Sequence, residues 1–293
     1  MTRVIVTSKV TSNFEAMRWE ALNAASRRIK RALLRILLAF RDVLDPLVHF
    51  QEVSILCYHS ISNTYLDTVV TPEVFERHLT VLEKSGAKFI SLEQILAWRA
   101  GTGILPRRAV ALTFDDGYRD FVSTVLPILK EHNAPATVFV VGDNAAFRAR
   151  LGNDLSLLTS EESKSFRTHP LVEIGYHSRT HANLAEISTA DLEQECAPRF
   201  GARFFAYPGG RYSDAAINAV QNVGYAAAFS IKRGLVSRSS DLFLLPRNQV
   251  FRGTPPWMVR ALSTRVIEWA SQSRLPSPGK RPTTISTGPL RSM

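Results

Sequence analysis

The chain has 293 residues, 45% of them hydrophobic, which is enough to bury one large core without calling for a second domain. Near-average glycine and proline, ordinary aromatic content and no repeat of fixed period exclude collagen-like, solenoid and wholly disordered architectures. The formal charge of +10 would suit a polyanionic partner, but residues 1–50 hold nine Lys/Arg against four Asp/Glu, residues 260–293 six against one, and the body between them 21 of each. A neutral body with no basic stripe interleaved with aromatics argues against nucleic-acid binding.

Residues 1–50 read as a basic, helical N-terminal extension. They lack the positive, apolar and small-residue order of a secretory signal. Their best apolar run, 32–40, is broken by Arg35 and is about half the length needed to cross a bilayer. Ile29, Leu33, Ile36, Leu37, Phe40 and Leu44 share one helical face, and Arg27, Arg28, Lys30, Arg31, Arg35 and Arg41 supply the other. The pattern fits a helix packed on its own domain and equally fits peripheral membrane contact through residues 27–44. A cytoplasmic protein, or one at the inner membrane face, is the simplest expectation.

Residues 51–270 are expected to form the catalytic domain. The run 53–59 predicts a buried strand ending in Tyr58-His59, and 72–84 a helix entered at Pro72, with Phe75, Leu79 and Leu82 on one face. Lys88–Ile90 is a short strand, and Ser91-Leu-Glu-Gln94 has the form of a capping box. Ala109–Phe114 is a nearly continuous apolar strand stopped by Asp115-Asp116-Gly117. A helix over 120–132, strands at 136–141, 172–176 and 203–207, a helix over 213–223 closed by Gly224, a strand at 225–229 and a further one at 242–245 complete the count. This alternation implies parallel strands with helices outside, in a barrel rather than an open sheet. His59, Asp115, Asp116, His177 and the turn 207–210 all follow strand C-termini, the face on which barrel catalytic residues collect. Residues 271–293, rich in Ser, Thr, Pro and basic groups, read as a disordered tail. Cys57 and Cys196 are too few for a disulfide framework, and a bridge between them stays open.

Adjacent Asp115 and Asp116 are costly to bury ionised unless a cation is near, although an N-cap followed by a turn aspartate would use the same letters. His177 and His181, four residues apart after a strand, can present two imidazoles to one ion. With one carboxylate they make a familiar catalytic zinc set.

Thr113-Phe114-Asp115-Asp116-Gly117 followed by His177-Ser178-Arg179-Thr180-His181 closely resembles the polysaccharide deacetylases, over about residues 53–250. The resemblance implies an α/β fold, a distorted and incomplete (β/α) barrel. It also implies removal of N-acetyl groups from an amino-sugar substrate with one divalent metal ion, zinc being expected. It makes Asp115 the general base and Asp116, His177 and His181 the metal ligands. Phe204-Phe-Ala-Tyr-Pro-Gly-Gly210 is similar to the third motif of the exopolysaccharide, poly-N-acetylglucosamine variant, with the Gly209 N–H at the oxyanion and Tyr207 beside it. Common members have an arginine where this chain has Ala206, and late motifs without a match here. The variant instead resembles this chain in His59, the candidate acid, and Arg247, which would hold Asp115. Only 22 residues separate His181 from Phe204, so one wall of the cleft should be reshaped. Another amide hydrolase on the same scaffold, or an inactive carbohydrate-binding relative, remain the alternatives.

Overall fold

A computed structural model describes residues 29, 32, 33, 35, 36, 38, 39, 52–151 and 155–265. The expected tail 271–293 and most of the extension 1–50 lie outside the described residues. The sheet is parallel and curls into a half-barrel with helices on its outer side, in the order β7-β6-β5-β4-β3-β1-β8. Its strands are β1 (Val53–Tyr58), β2 (Lys88–Ile90), β3 (Ala109–Phe114), β4 (Ala136–Val140), β5 (Val172–Tyr176), β6 (Phe204–Ala206), β7 (Ala227–Phe229) and β8 (Asn248–Gln249). The helices are α1 (Pro72–Lys84), α2 (Leu92–Arg99), α3 (Leu126–Glu131), α4 (Asn144–Leu151), α5 (Ser160–Ser165), α6 (Thr189–Cys196), α7 (Asp214–Asn222) and α8 (Pro256–Leu262). A π-helical turn, Phe121–Val125, leads into α3.

β3 organises the sheet. One edge pairs with β1 along its whole length; the other pairs with β2 over residues 109–111 and then with β4 over residues 112–114. Two strands sharing one edge in succession distort the barrel. Strand alternation then sorts the side chains. Leu56, Tyr58, Val110, Leu112 and Phe114 pack outward under the helices, while Val53, Ile55, Ala109 and Ala111 pack inward with Phe139, Phe204 and Phe229. The inward set continues, two residues at a time, to Cys57, Thr113 and Asp115, so the polar centre caps an apolar interior.

The strand expected at 242–245 is not formed. That stretch is a turn in which Leu245 makes a single bridge to Phe229, and the strand falls instead at Asn248–Gln249, against β1. Pro246 has no N–H to extend a ladder, so pairing stops on β7 and restarts on β1. Residues 245–249 therefore span from one end of the sheet to the other, with Arg247 in the middle. α4, α5 and α8 were not expected, although Thr159 and Glu162 form a full capping box ahead of α5. The two cysteines are free and buried on opposite sides of the sheet, Cys196 within the helix-side core.

The described residues between 29 and 39 are helical, but Ile29, Leu33 and Ile36 are 61, 49 and 63% exposed. This helix leans on the domain through buried Leu38 and through Arg35, whose guanidinium lies 5.3 Å above the Trp257 ring of α8. No helix among the described residues is long and apolar enough to cross a membrane.

Gly175 of β5 faces inward against Phe139, where an added Cβ would come within 2.3 Å of the ring. Gly175→Ala should therefore destabilise the protein by about 1–3 kcal/mol, measured as a lowered urea midpoint with little change in slope.

Candidate metal and catalytic site

The site forms where β1, β3, β5 and β6 end. Asp115 follows the inward parity of β3 and is 3% exposed. Its carboxylate is held from both sides by the guanidinium of Arg247, Nη1 donating to Oδ1 at 2.6 Å and Nη2 to Oδ2 at 2.7 Å. Arg247 is fully buried, and two further N–H groups reach Ser230 O at 3.1 Å and Thr113 Oγ1 at 3.3 Å. The Cys57 thiol donates to Asp115 Oδ2 at 3.4 Å. Burial alone would push the Asp115 carboxyl up, but Arg247, then His177 and His59, hold it well below the usual carboxylate range, so it is ionised.

Asp116 takes φ +74, and Gly117 follows at φ +69. Aspartate tolerates this left-handed step better than most residues. The step turns the second carboxylate away from Arg247 and toward the loop after β5. There His177 Nε2 lies 3.6 Å and His181 Nε2 3.4 Å from Asp116 Oδ1. Burial raises the Asp116 carboxyl, but the His181, His59 and His177 imidazoles bring it below its ordinary value.

His177 is 1% exposed, and its Nδ1 stands 2.7 Å from the Ala206 carbonyl oxygen. A carbonyl only accepts, so the proton sits on Nδ1 and Nε2 keeps a free lone pair turned toward Asp116. Burial pushes the His177 imidazole down to about 4, outweighing the pull of Asp115, so the ring is neutral at pH 7.

Asp116, His177 and His181 each offer one ligand atom, all within 4.8 Å of one another. Asp116 Oδ1, between the two imidazoles at 3.4 and 3.6 Å, is buried and has no closer polar partner among the described residues. Such an atom is expensive to bury unless a cation meets it. Two neutral imidazoles and one carboxylate are a donor set that divalent ions of the zinc type take, so the residues fit the expected ion.

The other candidates fall at different distances from this centre. His59 lies close enough to bear electrostatically on both aspartates, and its Nδ1 is buried with no hydrogen-bond partner among the described residues. Gly209 takes φ +57 in the turn Pro208–Gly210, where a Cβ would meet nothing nearer than 3.9 Å. The Tyr207 ring instead packs in the helix-side core between Phe205 and Tyr212, and its hydroxyl has no hydrogen-bond partner among the described residues. Cys57 and Thr113 were missed as site residues. They are register partners on β1 and β3, and register is not written in either segment alone.

A parallel half-barrel whose strand ends gather an Arg-held aspartate beside an Asp-His-His cluster defines an α/β protein of the distorted (β/α)-barrel type. Residues 102–228 match the family described as polysaccharide deacetylase, in agreement with the resemblance carried by the two sequence motifs. The chain is 27% identical over 211 residues to YxkH of Bacillus subtilis (strain 168), whose name places it among polysaccharide deacetylases, covering 69% of this chain and 72% of that protein. It is 24% identical over 207 residues to the poly-beta-1,6-N-acetyl-D-glucosamine N-deacetylase of Staphylococcus aureus (strain MRSA252), covering 65% and 70%. The fold is shared with the Streptococcus pyogenes deacetylase PplD, solved in complex with acetate, at a TM-score of 0.63 and 23% identity, over 73% of this chain and 98% of that one. His59 and Arg247 lie outside the family-matched segment.

The depressed His177 gives a pH dependence with a definite sign. Between about 6.5 and about 4 the unfolded chain binds a proton at this position that the folded metal-free protein refuses, so stability falls as pH falls through that window. Buried His78, also pushed down to about 4, acts over the same range. His177→Gln should remove only the His177 share, and urea titrations of metal-free wild type and variant from pH 7 to pH 4 should show a shallower decline in the variant.

Proposed function

We propose that this chain is a metal-dependent carbohydrate N-deacetylase that removes N-acetyl groups from an amino-sugar-containing glycan or glycoside. The observation that carries this is the buried Asp116 oxygen between the His177 and His181 imidazoles, with an ionised carboxylate next to it in sequence. Those three residues would hold the ion, which when bound supplies Lewis acidity to water and to the acyl carbonyl.

Asp115 is the general base. Arg247 keeps it ionised and fixes the plane of its carboxylate, so its role is to receive a proton from water in a set direction. A carboxylate held so far down is a weak base, which suits a nucleophile that is itself made acidic. His59, with a ring nitrogen that has no hydrogen-bond partner among the described residues and both aspartates near, donates the proton to the departing amine nitrogen. The Gly209 N–H is assigned to the oxyanion of the tetrahedral intermediate, and its left-handed backbone is what lets main chain rather than side chain border the cleft there. Tyr207 contributes to that wall through the turn it opens, its ring being committed to the core. The named activity of the staphylococcal relative makes β-1,6-linked N-acetylglucosamine oligomers the first substrate to try.

The zinc-loaded protein should release acetate from such oligomers, and Asp115→Asn should lower kcat roughly 100- to 10,000-fold, read as acetate per enzyme against time. Zinc binding without acetate release from oligomers, lipid-linked sugars or simple glycosides would favour another amide substrate. Absence of both would favour a carbohydrate-binding relative without turnover.

Peripheral contact with an anionic membrane belongs to the same proposal. Ile29, Leu33 and Ile36 present an exposed apolar stripe, in a stretch of sequence that carries Arg27, Arg28, Lys30 and Arg31. The protein should sediment with phosphatidylglycerol-rich vesicles and far less with phosphatidylcholine vesicles. Leu33→Glu should abolish that difference while leaving acetate release from soluble oligomers unchanged.

A further inference from the structure

The stretch between His181 and β6, short enough to suggest a damaged cleft, delivers a buried carboxylate to the back of the metal-ligand loop. Residues 177–181 contain two non-glycine residues in the left-handed region, Ser178 at φ +62 and His181 at φ +58. L residues hold such conformations only where their surroundings enforce them. The loop's main chain is accordingly tied down at every step. The Gly142 N–H donates to Ser178 O at 3.0 Å, the Asp143 N–H to Arg179 O at 2.7 Å and the Arg179 N–H to Glu195 O at 3.0 Å. The His181 N–H donates to Ser178 Oγ at 3.0 Å.

Thr180, directly before His181, is gripped by both oxygens of the Glu195 side chain. Its N–H donates to Oε2 at 2.9 Å and its hydroxyl to Oε1 at 2.7 Å. Glu195 sits in the last turn of α6 and is 7% exposed. A buried carboxylate is a costly way to close a loop if any small residue would do. Two charge-assisted bonds on one residue, however, fix both the position and the rotation of the peptide that leads into His181.

We infer that Glu195 is a positioning residue for His181, setting the imidazole where it can share an ion with Asp116 and His177. The inference rests on the metal-dependent activity proposed above. It does not involve contact between Glu195 and the ion. The shortened segment is thus part of the site's support, not a loss.

The test is zinc affinity of the full chain, by competition with a chromogenic chelator, together with the visible absorption of the cobalt-loaded protein. Glu195→Ala should weaken zinc binding about 10- to 100-fold and alter the cobalt bands, as loss of a group orienting a ligand does. Glu195→Gln keeps an acceptor and a polar partner for Thr180 and should stay within about threefold of wild type. Thr180→Val removes only the hydroxyl and should fall between the two. If Glu195→Ala does not fold, Thr180→Val decides: unchanged affinity and unchanged cobalt bands would overturn the inference. A folded Glu195→Ala with lowered thermal stability but wild-type zinc affinity would overturn it as well, leaving Glu195 a purely structural residue. Failure of the wild-type protein to bind zinc at all would instead sink the metal-dependent activity, and this inference with it.

Discussion

The bidentate pair between Arg247 and Asp115 is the interaction on which the rest of the site depends. Both groups are buried, so each would be costly to bury alone, and removing one strands the other's charge in a low-dielectric interior. Good geometry offsets that cost here: two parallel N–H···O bonds at 2.6 and 2.7 Å, with two further guanidinium donors met by Ser230 and Thr113. The pair also settles the charge of its surroundings. Arg247 cancels Asp115, His177 is neutral at pH 7, and the negative charge of Asp116 is left facing two imidazoles. One aspartate is thus satisfied within the protein and its neighbour is not, which is the asymmetry on which the proposed roles of base and cation ligand rest.

Much of this was legible in the sequence because the informative residues are polar interruptions at strand ends. Asp115-Asp116 stops an unbroken apolar strand, and His177 does the same after β5. Parallel strands bring their C-termini to one face whatever their exact pairing. Both signals therefore survive ignorance of register. What was not legible depends on distant pairing. Cys57 reaches Asp115 because β1 and β3 are aligned with Cys57 opposite Thr113, and nothing in either segment states that alignment. Glu195 is one acidic residue among several on a short helix, and only the fold shows that its carboxylate turns inward to Thr180.

The missing strand and the helix face left open by the sequence reading both have local causes. The apolar letters at 242–245 do not make a strand because Pro246 ends the pairing on β7, leaving one bridge where a ladder was expected. The N-terminal helix does not bury the stripe of Ile29, Leu33 and Ile36, because Leu38 and Arg35, on other faces, make the contacts with the domain. Helical periodicity tells which residues lie together, not which face the neighbour chooses. Tyr207 follows the same logic on a strand: alternation sends Ala206 inward and Tyr207 outward, so a residue next to the cleft in sequence has its ring on the other side of the sheet.

The position of Arg247 also sets an order on assembly. The segment 245–249 joins β7 to β1 only after nearly the whole domain has been laid down, and its closure is reinforced by contacts of very long sequence separation, such as Asn248 Nδ2 to Ser54 Oγ and Ser54 Oγ to Leu262 O. Loops of that span form late and slowly. On a ribosome, β1 to β6 would emerge with Asp115 and Asp116 side by side and neither one neutralised by protein. The nascent centre is therefore at its most negative before the chain is complete, and the last strand to pair is also the one that brings its counter-charge.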